Sequence, residues 1–128
     1  MENDARHLES YFYSDFPYEG KFDLPVIKRQ QVFLDNLKLI RYSSTVAHEY
    51  DEADATVHFF EYDDRFGEVW RKPSSYIARL SQYRQVIAPD FSMYTNMALA
   101  LQVFNTYRNR WLGAFWQSKG LTVIPSVS

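Results

Sequence analysis

Four short apolar runs, each too far from the next to be joined by a hairpin, constrain this chain more than any other feature. Residues 37–42 read Leu-Lys-Leu-Ile-Arg-Tyr and residues 55–60 read Ala-Thr-Val-His-Phe-Phe, rich in the aliphatic, β-branched and aromatic side chains that fit a pleated surface. Residues 85–88 (Gln-Val-Ile-Ala) and 121–124 (Leu-Thr-Val-Ile) are two more runs, closed by Pro89 and Pro125, which cannot donate to a strand ladder. The intervals carry helical signals. Pro73 suits a first helical turn, and Tyr76, Ile77, Leu80 and Tyr83 come after it at helical spacing as far as about Arg84. A longer helix is predicted from about Asn96, a good N-cap, to Lys119, with Gly120 where a left-handed C-cap is wanted. Met97, Leu101, Phe104, Arg108, Trp111 and Phe115 form one stripe along it, and Leu99, Val103, Leu112 and Trp116 form a second, so burial over a wide arc is expected. Strands separated by helical crossovers pair in parallel. The chain is therefore read as an α/β domain whose short, mostly parallel sheet is built from βαβ units.

Ahead of the first run, residues 4–13 are predicted as a helix with Leu8, Tyr11 and Phe12 on one side. Residues 14–25 mix Pro17, Gly20 and Pro25 with Phe16, Tyr18 and Phe22, the composition of an irregular arm held down by aromatic anchors. No repeat or linker divides the 128 residues, so one domain is expected, with 1–21 as its N-terminal helix and arm. An apolar fraction of 46% suffices for a core, and the absence of cysteine rules out a disulfide framework, a thiolate metal site and a cysteine nucleophile. Neither a signal peptide nor a membrane-length apolar stretch is present, which makes a cytoplasmic setting without membrane contact the expectation. The net charge of −2 hides a polarity: residues 1–64 carry 14 Asp and Glu against 6 Lys and Arg, or −8, and residues 65–128 carry 2 against 8, or +6. The two halves can neutralise each other by packing, or one pole can meet a charged partner.

In parallel α/β folds functional groups gather at the carboxyl ends of the strands. Glu61, Asp63, Asp64 and Arg65 come after the second run, Asp90, Ser92 and Tyr94 after the third, and Ser126 and Ser128 after the fourth. Glu61, Asp63, Asp64 and Asp90 are candidates for a hard cation such as Mg²⁺ or Mn²⁺, and Asp90 and His58 for acid–base work; no other cofactor is implied. The simpler reading of the same residues is as loop caps and a sheet histidine. Glycine-rich phosphate loops, nucleophile elbows and paired histidines are absent. Arg108, Arg110, Trp111 and Trp116, with Tyr18 from the arm, are candidate partner contacts. Basic groups beside aromatic ones also suit single-stranded nucleic acid, although an acidic chain makes a poor nonspecific binder of it.

Residues 22–29, 53–70, 86–94 and 105–126 resemble domain-of-unknown-function family 4417, most specifically through Pro89-Asp90-Phe91-Ser92-Met93-Tyr94, Arg108-Asn109-Arg110-Trp111 and residues 120–125. The resemblance implies a bacterial, phage or mobile-element protein and carries no activity with it. Similar members often have Pro where Ala98 stands here and continue beyond the final strand, which leads to the expectation of either a fragment or a naturally shortened form, the latter with part of any strand-end site missing. Two functions are expected on this basis. One is a noncatalytic accessory protein that binds a host protein, as an anti-CRISPR-like inhibitor of a defence nuclease would. The other is a divalent-metal enzyme acting on nucleic acid or phosphoesters. A sheet left open by the early stop is further expected to form a homodimer through aromatic residues near the last strand or the long helix.

Overall fold

The computed structural model describes residues 11, 14–45, 53–61, 67–91 and 96–126. The helix predicted over residues 4–13 lies, apart from Tyr11, outside the described residues. The arm that composition marked as irregular folds back as a two-stranded antiparallel ribbon, β1 (Tyr18–Glu19) and β2 (Leu24–Pro25). Its turn uses the left-handed conformation at Gly20 (φ +76°) and again at Asp23 (φ +50°), one of the few residue types besides glycine that tolerates it.

Each of the four apolar runs contains a strand: β3 (Leu39–Arg41), β4 (Thr56–His58), β5 (Gln85–Ile87) and β6 (Val123–Ile124). They form one parallel sheet in the order β3-β4-β5-β6. Register places Ile40, Val57, Val86 and Val123 side by side, all buried. Side chains alternate across a strand, so the opposite face carries Leu39, Thr56 and Gln85 in one row and Arg41, His58, Ile87 and Ile124 in the next.

Helices cover the valine face. A short α1 (Tyr42–Thr45) extends from β3; α2 (Gly67–Arg71), a 3₁₀ turn (Pro73–Tyr76) and α3 (Ile77–Leu80) fill the β4–β5 crossover; α4 (Leu99–Ser118) joins β5 to β6. The helix predicted from Pro73 to about Arg84 is thus two short pieces. Pro73 forces Lys72 out of the helical region (φ −133°, ψ 64°), which separates α2 from the 3₁₀ turn. The long helix starts at Leu99 rather than Asn96, because Ala98 takes the N-cap place without a side-chain cap. Its other end is as expected: at Gly120 (φ +92°) the Leu121 amide donates to the Trp116 carbonyl and the Gly120 amide to that of Gln117, closing a Schellman motif. The wide burial expected of this helix holds only for its second half. Trp111, Leu112 and Trp116 join Val57, Val69, Leu80 and Val86 in one core, whereas Leu99, Leu101 and Phe104 are exposed. With one crossover hand and an order that never reverses, the helices belong on a single face.

Residues 26–37 run past the sheet and use its polar groups. Gln30 accepts from the outward amide of Val123 (2.9 Å) and donates to the Leu121 carbonyl (3.1 Å). Gln85 exchanges two bonds with the Phe33 backbone (3.0 and 2.6 Å) and donates to Thr56 Oγ1 (2.9 Å), so its buried amide is fully engaged. Among the described residues, no helix is long and apolar enough to cross a membrane.

Candidate functional site at the carboxyl edge and open face of the sheet

Parallel strands bring all four carboxyl ends to one edge. There Glu61 reaches back across β3: its carboxylate accepts from the Ser43 amide (3.2 Å) and from the Ser43 hydroxyl. Tyr42, buried beside it, stacks on Phe59 and takes a bond from Arg79 (3.2 Å); burial pushes its hydroxyl up to about 12. On the far side of the edge, Asn109 of α4 donates to the Pro89 carbonyl and to Ser126 Oγ, both at 2.7 Å, tying the ends of β5 and β6 to the helix. The Arg108 guanidinium lies 3.8 Å from the Phe91 ring centroid and donates to Asn105; Asp90, next to Phe91 in the chain, is half-buried.

His58 projects from the face away from the helices, next to Arg41 in register. Its Nδ1 accepts from the Phe60 amide (3.2 Å), which leaves the proton of the neutral ring on Nε2. Burial lowers its pKa, the Glu61 carboxylate pulls it back, and Arg41 lowers it further, so the ring is neutral at pH 7. It stacks on Phe60, at 5.3 Å between centroids.

The candidates named from sequence thus separate. Glu61, His58 and Asp90 lie on or next to the carboxyl edge, with Glu61 engaged by Ser43; Asp63 and Asp64, with Arg65, Ser92, Tyr94 and Ser128, lie outside the described residues. Among the described residues, no three His, Asp or Glu side chains are grouped to hold a metal ion. Trp111 and Trp116, 2% and 0% exposed, belong to the core. Arg110 faces Glu19 at 3.9 Å, and Tyr18 accepts from the Ser14 amide and stacks on Phe16.

Sequence reasoning expected an open sheet with its exposed groups near the last strand or the long helix, and did not point to β3 and the end of β4, where exposed apolar groups stand. Leu39 and Phe60 are 53% and 60% exposed, and Phe33 and Leu34, 49% and 62% exposed, lie on the segment that Gln85 holds. The signal was present: Leu39 and Arg41 flank buried Ile40, and His58 and Phe60 flank buried Phe59, the alternation of a strand with one side uncovered. Reading the runs as continuously apolar concealed it.

Residues 16–128 match the family model described as Domain of unknown function (DUF4417). The chain is similar to the Gene 1 protein of Mycobacterium phage L5, 47% identical over 70 residues, covering 55% of this chain and 31% of the relative. It is also similar to the Gene 1 protein of Mycobacterium phage D29, 33% identical over 112 residues, covering 87% of this chain and 41% of the relative. The chain thus spans well under half the length of the curated relatives it matches. No solved structure matches it.

Proposed function

Since this chain belongs to the DUF4417 family and its relatives are phage proteins, we propose that it is a noncatalytic phage accessory protein that docks on a host protein through the open face of its sheet. The observation that supports this most is the exposure of Leu39 and Phe60 on the side of the sheet away from the helices. All-parallel sheets are almost always covered on both faces, yet Leu39 and Phe60 stand more than half exposed here, with Ile87 and Ile124 half-buried between strands. Aromatic and aliphatic groups with a guanidinium among them, here Arg41, make up the composition of interface centres.

Charge narrows the partner. The partner class proposed is a nuclease or another protein that handles nucleic acid, whose basic surface would complement the −8 carried by residues 1–64, the stretch that bears Leu39, Arg41 and Phe60. Inhibition by occupying such a surface requires no chemistry from this chain.

The test is capture from host lysate, then titration of the purified captured protein. Leu39→Asp with Phe60→Asp abolishes capture, Leu101→Asp on the helix side retains it, and added salt slows association. Retention by the Leu39/Phe60 variant, with an unchanged melting temperature, would overturn the reading. Sedimentation of the isolated chain separates the other occupant, a second copy: the reading predicts a monomer that dimerises weakly if at all. Millimolar Mg²⁺ or Mn²⁺ leaves the melting temperature unchanged; a rise that Asp90→Asn removes would instead favour metal-dependent phosphoryl chemistry.

A further inference from the structure

On the helical side of the molecule, α4, the 3₁₀ turn and the arm enclose a cleft of about 550 Å³, within the size range of small-molecule sites. One wall is aromatic: half-buried Phe16 and Phe115 line it, with the core residue Trp111 stacked behind Phe115 at 4.9 Å and 12°. The rim is polar. Lys72 and Lys119 stand on it, both exposed and in no ion pair among the described residues, and Lys119 Nζ lies 5.5 Å from the Phe115 centroid. The hydroxyls of Ser74 and Ser75 come just after Lys72 in sequence and line the same cleft, and Asp15 supplies one carboxylate. Two lysines against one aspartate leave a net charge of +1 among these groups.

Each component narrows the ligand. Lysines and hydroxyls together hold phosphate oxygens, an aromatic wall takes a flat ring, and a carboxylate accepts from hydroxyl or ring N–H donors. An inorganic anion would leave the wall unused, and an apolar ligand would strip water from Lys72, Lys119 and Asp15 with nothing in return. We propose that this cleft binds a nucleoside monophosphate, with its base against the Phe16–Phe115 wall, its phosphate between Lys72 and Lys119, and its sugar or base donors on Asp15. The site is independent of the open sheet face, so either assignment can fail without the other.

Titration of the full chain with AMP, GMP, CMP and UMP, monitored by tryptophan fluorescence and equilibrium dialysis, tests it. At least one nucleotide binds saturably in the micromolar to low millimolar range, and inorganic phosphate and the matching nucleoside each bind far more weakly. A short 5′-phosphorylated oligonucleotide distinguishes a free nucleotide, which the proposal predicts, from a nucleic-acid end. Lys72→Glu with Lys119→Glu weakens binding roughly tenfold to a hundredfold while Lys21→Glu does not, and Lys72→Met with Lys119→Met repeats the loss if charge reversal disturbs folding. No saturable binding by any of the four, equal binding of phosphate alone, tighter binding of the oligonucleotide, or indifference to both lysine pairs would overturn the proposal.

Discussion

Gly113 sits where α4 and the segment after β2 come closest: a Cβ there would meet Ile27 Cδ1 at 2.5 Å and Cγ1 at 2.8 Å, with Val123 Cγ1 at 3.5 Å. Replacing a helical glycine normally adds up to ~1 kcal/mol of stability, but forcing carbon into a filled space removes ~1–3 kcal/mol. A β-branched residue adds volume without the helix benefit of alanine, so Gly113→Val loses about 2 kcal/mol in urea unfolding, and adding Ile27→Ala restores part of it. His58 gives a second outcome at this scale. Its pKa in the folded chain lies below the unfolded value near 6.5, so the unfolded chain binds more protons below that pH. The stability this represents is present above pH 6.5 and is lost as pH falls through 6.5 toward the folded pKa, below which it stays constant. His58→Gln flattens the fall in urea midpoint between pH 7.5 and 5 relative to the parent chain; identical slopes would mean the ring is not desolvated when folded. Single residues also mark where sequence reasoning stopped. Asp23 and Asn36 adopt positive φ without being glycine, a choice made by the surrounding fold that composition does not reveal.

The elements were legible wherever one local rule acted alone. β-branched and aromatic runs marked the four strands of the parallel sheet, and Gly120 marked the end of α4, because a strand face and a left-handed cap are short-range requirements. Where two rules competed, the outcome was not readable. Pro73 favours a helix start but excludes helix at Lys72, and the stop won, dividing the crossover. At the carboxyl edge, the residue types pointed to metal or acid–base chemistry, yet Glu61 is bonded to Ser43, 18 positions away, a pairing visible only once β3 and β4 lie side by side. That latch joins two half-buried groups, so Ser43→Ala or Glu61→Gln costs about 1 kcal/mol each, with most of it shared in a double-mutant cycle. Gln30 plays the stronger role: it covers the outward amide of Val123, and Gln117 donates to its side-chain oxygen as well (2.7 Å). Gln30→Ala leaves that β6 amide unpaired, which destabilises by ~1–3 kcal/mol and raises the tendency to associate edge to edge, as light scattering measures.

Over the whole molecule, two asymmetries coincide. Helices cover the valine face of the sheet, while its other face leaves Leu39 and Phe60 to solvent; the sequence bearing those residues is the acidic half. The proposed partner, basic and presenting an apolar patch, would complement both. The comparison that tests this most directly is the affinity of the captured host protein for the parent chain and for Leu39→Asp/Phe60→Asp, measured by titration at two salt concentrations beside the melting temperature of each. The account predicts at least a hundredfold loss of affinity for the variant, weaker binding of the parent at higher salt, and melting temperatures that agree to within a few degrees. Equal affinity of parent and variant would contradict it, as would loss of binding on substituting Leu101 in α4 instead.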